Sequence, residues 1–220
     1  MSLFKLSLAM ILSAAPLGAS ASAQQRPRFD RDATTPQEIR ILARFSSCVA
    51  LSHRGRSRAL LALDYRTDQY RREMLRLAGD NADCVPSGGR LAFGAVLFAG
   101  GLAEYLLRRD GAMADLGAFV ALDPARPSIA ARDETELMAL CVVRASPAKV
   151  SALLRTGPAS EEEGAALRAL MPELNSCLSA GSSVRLNRLS GRAILALAAY
   201  RLVDHNGWSR VAAAAPPPGG

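Results

Sequence analysis

The stretch Thr35–Ser52, TPQEIRILARFSSCVALS, reads as a helix with its start signals in order and the first of four cysteines near its end. Thr35 offers a side-chain oxygen to the amides of the first turn. Pro36 stands at the first helical position, where a missing N–H removes no hydrogen bond, and Glu38 can reach back to the cap. Ile41, Phe45, Cys48 and Ser52 recur at helical spacing, flanked by Leu42 and Val49, so this face is expected to turn inward with Cys48 on it.

The same order returns later in the chain. A shift of 93 residues lays Cys48-Val49 on Cys141-Val142, Ala59-Leu60-Leu61 on Ala152-Leu153-Leu154, Leu77 on Leu170 and Cys84 on Cys177. Beyond the second cysteine the shift becomes 95, pairing Arg90-Leu91 with Arg185-Leu186, Leu102-Ala103 with Leu197-Ala198, Tyr105 with Tyr200 and Leu107 with Leu202. Equal cysteine gaps within this pattern point to a tandem duplication. The expected fold is all-α: two tandem four-helix repeats, each stapled by one disulfide, after a cleaved signal peptide.

The other helices follow from their own signals. Asp133-Glu134-Thr135-Glu136 opens the counterpart of the first helix, and Ser146-Pro147 opens a short helix whose partner covers about Arg54 to Leu63. Thr67 and Ser160 are matching caps, each followed by acid that complements the helix dipole. Tyr70, Met74 and Leu77 form the buried stripe of one third helix, and Leu167, Leu170, Met171 and Leu174 that of the other. Fourth helices are expected over about Leu91 to Arg109 and Val184 to Val203, with Gly94, Gly100 and Gly101 permitting close backbone approach. Domain limits follow: a signal over 1–23, a flexible start over 24–34, repeats over 35–111 and 133–211, a connection over 112–132 with one short helix near Met113 to Val120, and a disordered tail over 212–220.

Lys5, an apolar run from Leu6 to Leu17 and the small-x-small site Ala21-Ser22-Ala23 carry the export reading, periplasmic or secreted. Leu91 to Ala103 is uncharged but well short of the roughly 20 residues a bilayer needs, so no transmembrane span is expected in the mature chain. Net charge is +7, falling to +6 without Lys5; all basic residues except Lys5 and Lys149 are Arg, interspersed with acid. That balance describes a solvated surface rather than a nucleic-acid footprint, and no nucleic-acid partner is expected.

Four cysteines allow three pairings. Duplication favours Cys48 with Cys84 and Cys141 with Cys177. A thiolate metal site lacks the close C-x2-C pairs zinc prefers, and redox exchange lacks C-x-x-C. Gly88-Gly89 and Gly100-Gly101 fit neither a phosphate loop nor a dinucleotide motif, so neither metal nor cofactor is implied.

Catalytic signals are sparse. His53 and His205 do not correspond under the repeat, and Ser52, His53 and Asp64 lack a nucleophile elbow. Glu104 follows an uncharged helix and has Ala199 as its counterpart, which makes it the one candidate general acid; a cleft with a second carboxylate within about 5 to 10 Å would favour a small envelope-directed hydrolase. Pairing with Arg108 one turn on is the plainer expectation for Glu104. Asp64, Tyr65, Asp68 and Tyr70 border a loop read as structural. Arg54, Arg56 and Arg58, with Tyr105 and Tyr200, are the candidate binding surface. The expected function is a non-enzymatic, exported helical protein of the bacterial envelope that binds a protein or envelope component; a purely electrostatic binder of anionic polymer is the third reading, and the oligomeric state is open.

Overall fold

Small residues let the helices Ala95–Arg109 and Arg188–Asn206 approach closely, and the rest of the fold is arranged around that contact. The computed structural model describes residues 35–85, 93–122, 124, 127–179 and 186–207. Among them all regular structure is helical: α1 Pro36–Ser52, α2 Arg54–Ala62, α3 Asp68–Gly79, a 3-10 turn Ala82–Cys84, α4 Ala95–Arg109, α5 Leu116–Val120, α6 Glu134–Ala145, α7 Pro147–Arg155, α8 Glu161–Ala169, α9 Met171–Ser176 and α10 Arg188–Asn206. The expected signal over 1–23, the expected 24–34 start and 212–220 tail, Trp208 and Gly88-Gly89 lie outside the described residues.

α4 and α10 make the most extensive pairing, with α1 and α2 against α4, and α6 and α5 against α10. A Cβ on Gly100 would stand 2.5 Å from Cβ of Ala193, and one on Gly101 would stand 2.5 Å from Cβ of Ser46, so these glycines set the α4–α10 and α1–α4 distances. Gly94 has no such contact. Because the obstruction at Gly100 includes the Ala193 backbone, Gly100→Ala is expected to destabilise by about 1–3 kcal/mol, read as a lower urea midpoint; an unchanged midpoint would mean that the two helices are free to separate. Ala99, Ala103, Ala196 and Ala199 continue the close-packed seam, and Phe45, Phe93 and Phe98 stack beside it at 5.2–5.6 Å between ring centroids.

Helix starts obey the local chemistry. Thr35 and Glu38 form the full capping box on α1; Thr67, Asp133 and Ser160 accept from backbone amides at the heads of α3, α6 and α8. Gly207 ends α10 with φ 87°. His53 is the junction of α1 and α2, and α6 meets α7 at 101°. The connection carries α5 within the expected limits.

Several expectations need correction. α1 buries Leu42, Phe45, Ser46, Val49 and Ala50 while Ser52 is exposed, so its inward face is turned from the expected stripe toward Ser46, which fits against Gly101. α4 starts at Ala95 and α10 at Arg188, later than expected, because Gly94 and Asn187 are extended caps. The third helix of the second half is broken at Leu170: Pro172 has no amide to give and its ring crowds the carbonyl of Arg168. The break turns Met171 outward, 48% exposed, whereas Leu170 and Leu174 stay buried.

Both disulfides form within halves. Cys48 joins Cys84 and Cys141 joins Cys177, each with Cα atoms 5.7 Å apart, tying α1 to the turn after α3 and α6 to the end of α9. The described residues of both halves pack as one compact unit. No single described helix is long and apolar enough to cross a membrane.

Candidate functional site

Two places between the halves combine polar side chains with space. The first surrounds Glu104. This carboxylate accepts from Arg192 in a bidentate pair, Nε to Oε2 at 2.8 Å and Nη2 to Oε1 at 2.7 Å, and Oε1 also accepts from Arg108 at 2.7 Å. The expected partner is present, and a second, from the opposite half, completes the set. Arg192 is 5% exposed and also donates to the carbonyls of Leu153, Leu154 and Thr156, to Oγ1 of Thr156 and to Oε1 of Glu163. Those carbonyls belong to the last turn and the cap of α7, at the negative end of its dipole, where a guanidinium is favourable. Burial works against the charge on Arg192, yet Glu104 and Glu163 outweigh it and raise its pKa above the ordinary arginine value.

Glu163, 1% exposed, is further held by Arg188 at 2.6 Å and accepts the amide of Ala159, a residue in the left-handed region at φ 63°. Glu104 thus shares one guanidinium with a second carboxylate, that of Glu163. The space beside it is about 40 Å³, bordered by Leu42, Gly100, Gly101, Pro158 and Ala193. That is room for a few waters rather than a sugar ring. Chemically the cluster is a structural knot.

The second place is a cavity of about 300 Å³. Leu61, Leu63, Tyr65 and Tyr70 line it from the first half, with Val96 of α4; Ile194, Leu197, Ala198 and Tyr200 line it from α10. Its rim is Arg132, Asp133, Glu136 and Arg201. These charges satisfy one another. Arg132 donates its amide to Glu136 at 2.6 Å and lies 3.9 Å from both Asp64 and Glu136; Arg201 pairs with Glu136; Tyr65 donates to Asp133 at 2.5 Å and its ring sits 5.4 Å from the Arg132 guanidinium. Burial, then the Asp133 bond, push the Tyr65 phenol up, while hydrogen bonds from Arg66 hold Asp64 well below the usual carboxylate range. Tyr70, 8% exposed, is pushed up to about 12 by burial.

The sequence candidates fall in different places. Arg54 and Arg58 both pair with Asp110 at the end of α4, at 2.7 and 2.6 Å, and Arg56 pairs with Asp80 at 2.9 Å. Tyr200 is 1% exposed and faces the cavity; Tyr105 packs half-buried against the core. His205 Nε2 lies 2.9 Å from the carbonyl of Pro127 at the close of α10, and His53 is a helix junction. The loop bearing Tyr65 and Tyr70, read as structural, forms a wall of the cavity. Arg132, Glu136 and Arg201 escaped the sequence reading because each is an ordinary charged residue until α6 and α10 meet α3. Their one signal was the pair Asp133 and Glu136, which had a complete explanation as a helix start. No group of three or more metal-ligating side chains is gathered among the described residues.

Comparison with protein-family models, with curated proteins and with solved structures finds no match.

Proposed function

We propose that this chain is an exported, non-enzymatic helical protein of the bacterial envelope, made of two tandem four-helix copies, that binds a protein or envelope component. The observation that carries the non-enzymatic reading is the engagement of both Glu104 oxygens by Arg192 and Arg108 in a space of about 40 Å³. Both oxygens are thus engaged, which supports the binding reading over the hydrolase.

Duplication is supported by register. α2 Arg54–Ala62 and α7 Pro147–Arg155 begin and end 93 positions apart, and α1 and α6 end at Ser52 and Ala145 with the same offset. Their junctions share a conformation, His53 at φ −131°, ψ 50° and Ser146 at φ −141°, ψ 58°. Export is supported by the two disulfides, which persist in oxidising compartments, together with the apolar run and small-x-small site at the start of the chain.

Crosslinking in intact cells followed by mass spectrometry tests the binding reading. A reproducible partner is expected, and Glu104→Gln is expected to keep it. A wall-degrading activity of the natural chain that Glu104→Gln abolishes, with the fold intact by circular dichroism, would overturn the proposal in favour of the hydrolase.

A further inference from the structure

We infer that the cavity between α3 and α10 is a binding site for a small neutral amphiphile, whose hydrocarbon body lies against Leu61, Leu63, Val96, Ile194 and Leu197 and whose hydroxyl or carbonyl meets the phenol of Tyr70. The inference rests on the reading of the chain as a duplicated binding protein and narrows its partner to a chemical class.

The two halves treat one position differently. In the second half the end of α7 is plugged: Arg192 reaches Leu154, Thr156 and Glu163, and Pro158 closes the side. Moving 93 positions back replaces Leu154 by Leu61, Thr156 by Leu63, Pro158 by Tyr65 and Glu163 by Tyr70, and all four replacements line the open cavity. At a shift of 95 Arg192 corresponds to Leu97, so the plug itself is missing. Where one copy carries a buried ion cluster, the other carries aliphatic and phenolic walls around about 300 Å³, at the lower end of the roughly 300–1,000 Å³ typical of small-ligand sites.

The chemistry of the occupant follows from what the walls leave unsatisfied. Every rim charge is already engaged: Arg132 with Asp64 and Glu136, Arg201 with Glu136, and Asp133 by the Tyr65 hydroxyl and the Glu136 amide. A charged head entering there would lose its water and have to compete with those bonds for a counter-ion. Tyr70 differs. The residue is 8% exposed, it lines the cavity, and no described residue hydrogen-bonds its hydroxyl, which is open to the cavity's solvent. One neutral acceptor or hydroxyl on an otherwise apolar ligand can take the place of water there.

The test uses the full mature chain with N-phenyl-1-naphthylamine as a neutral fluorescent probe, displaced by 1-decanol, decanoate or decylammonium. Probe binding is expected, with 1-decanol at least about tenfold more effective than either charged analogue. Leu197→Trp should abolish binding by filling the space; should that variant not fold, Val96→Trp, at a residue 37% exposed on the cavity wall, is expected to do the same. Tyr70→Phe should weaken 1-decanol about tenfold while leaving the probe, which does not need the hydroxyl, unchanged. Absence of probe binding, retention of binding in a folded filled-cavity variant, equal competition by the charged analogues, or an unaltered 1-decanol affinity in Tyr70→Phe would each overturn the assignment. A reproducible crosslinked protein partner alongside any of these results would leave the broader binding function standing.

Discussion

Arg192→Ala is expected to lower the unfolding free energy by about 3–5 kcal/mol, the range for removing one member of a buried ion pair. Seven hydrogen bonds from this guanidinium reach α4, α7, α8 and the turn after α7, and it is 5% exposed, so solvent offers little replacement. Its loss leaves Glu163 buried with Arg188 as its remaining guanidinium and removes donors from the end of α7, where Arg108 still reaches the Leu154 carbonyl. Arg192→Lys keeps the charge but not the planar fork, and should recover only part of the loss. Adding Glu163→Gln to Arg192→Ala should restore part of the stability relative to the single variant, because Arg188 alone then no longer has to balance a buried carboxylate. Guanidinium denaturation followed at the helical circular-dichroism band measures all three; a loss below about 1 kcal/mol for Arg192→Ala would mean that water replaces the side chain and that the cluster does not hold the halves together.

Removing either disulfide is the second large effect. Each closes a loop spanning 36 positions, and in the chain-entropy model that is worth roughly 3–4 kcal/mol, through the freedom it denies the unfolded chain. Cys48→Ser with Cys84→Ser, and Cys141→Ser with Cys177→Ser, should therefore give similar losses in equilibrium unfolding. Because both halves pack into one compact unit, unfolding is expected to stay a single transition in each double variant. Two separated transitions would show instead that each half is locked shut on its own.

Much of this was legible in the chain because local chemistry governs helix ends. The start of α1 and the caps Thr67, Asp133 and Ser160 follow from side chains within four residues of the backbone groups they satisfy, and the start of α7 from Pro147 at its first position. The two equal cysteine gaps pointed to Cys48 with Cys84 and Cys141 with Cys177, and those are the bonds that form. What escaped the pattern was decided by neighbours far away in sequence. The inward face of α1 was set by Ser46 meeting Gly101, and Met171 was turned out by the break at Pro172, a local signal that the apolar stripe had masked.

The sequence by itself determined that the described residues are helical, where α1, α3, α6, α7 and α8 begin, and which sulfurs join, since these were read from groups close along the backbone and from equal cysteine gaps. Only the tertiary structure decided that Glu104 is tied to Arg192, 88 residues away, and that α3, α6 and α10 leave a lined space between them. A partner at such a distance is chosen by how helices pack, and packing depends on the shapes of all the surfaces at once, which no spacing rule along the chain encodes.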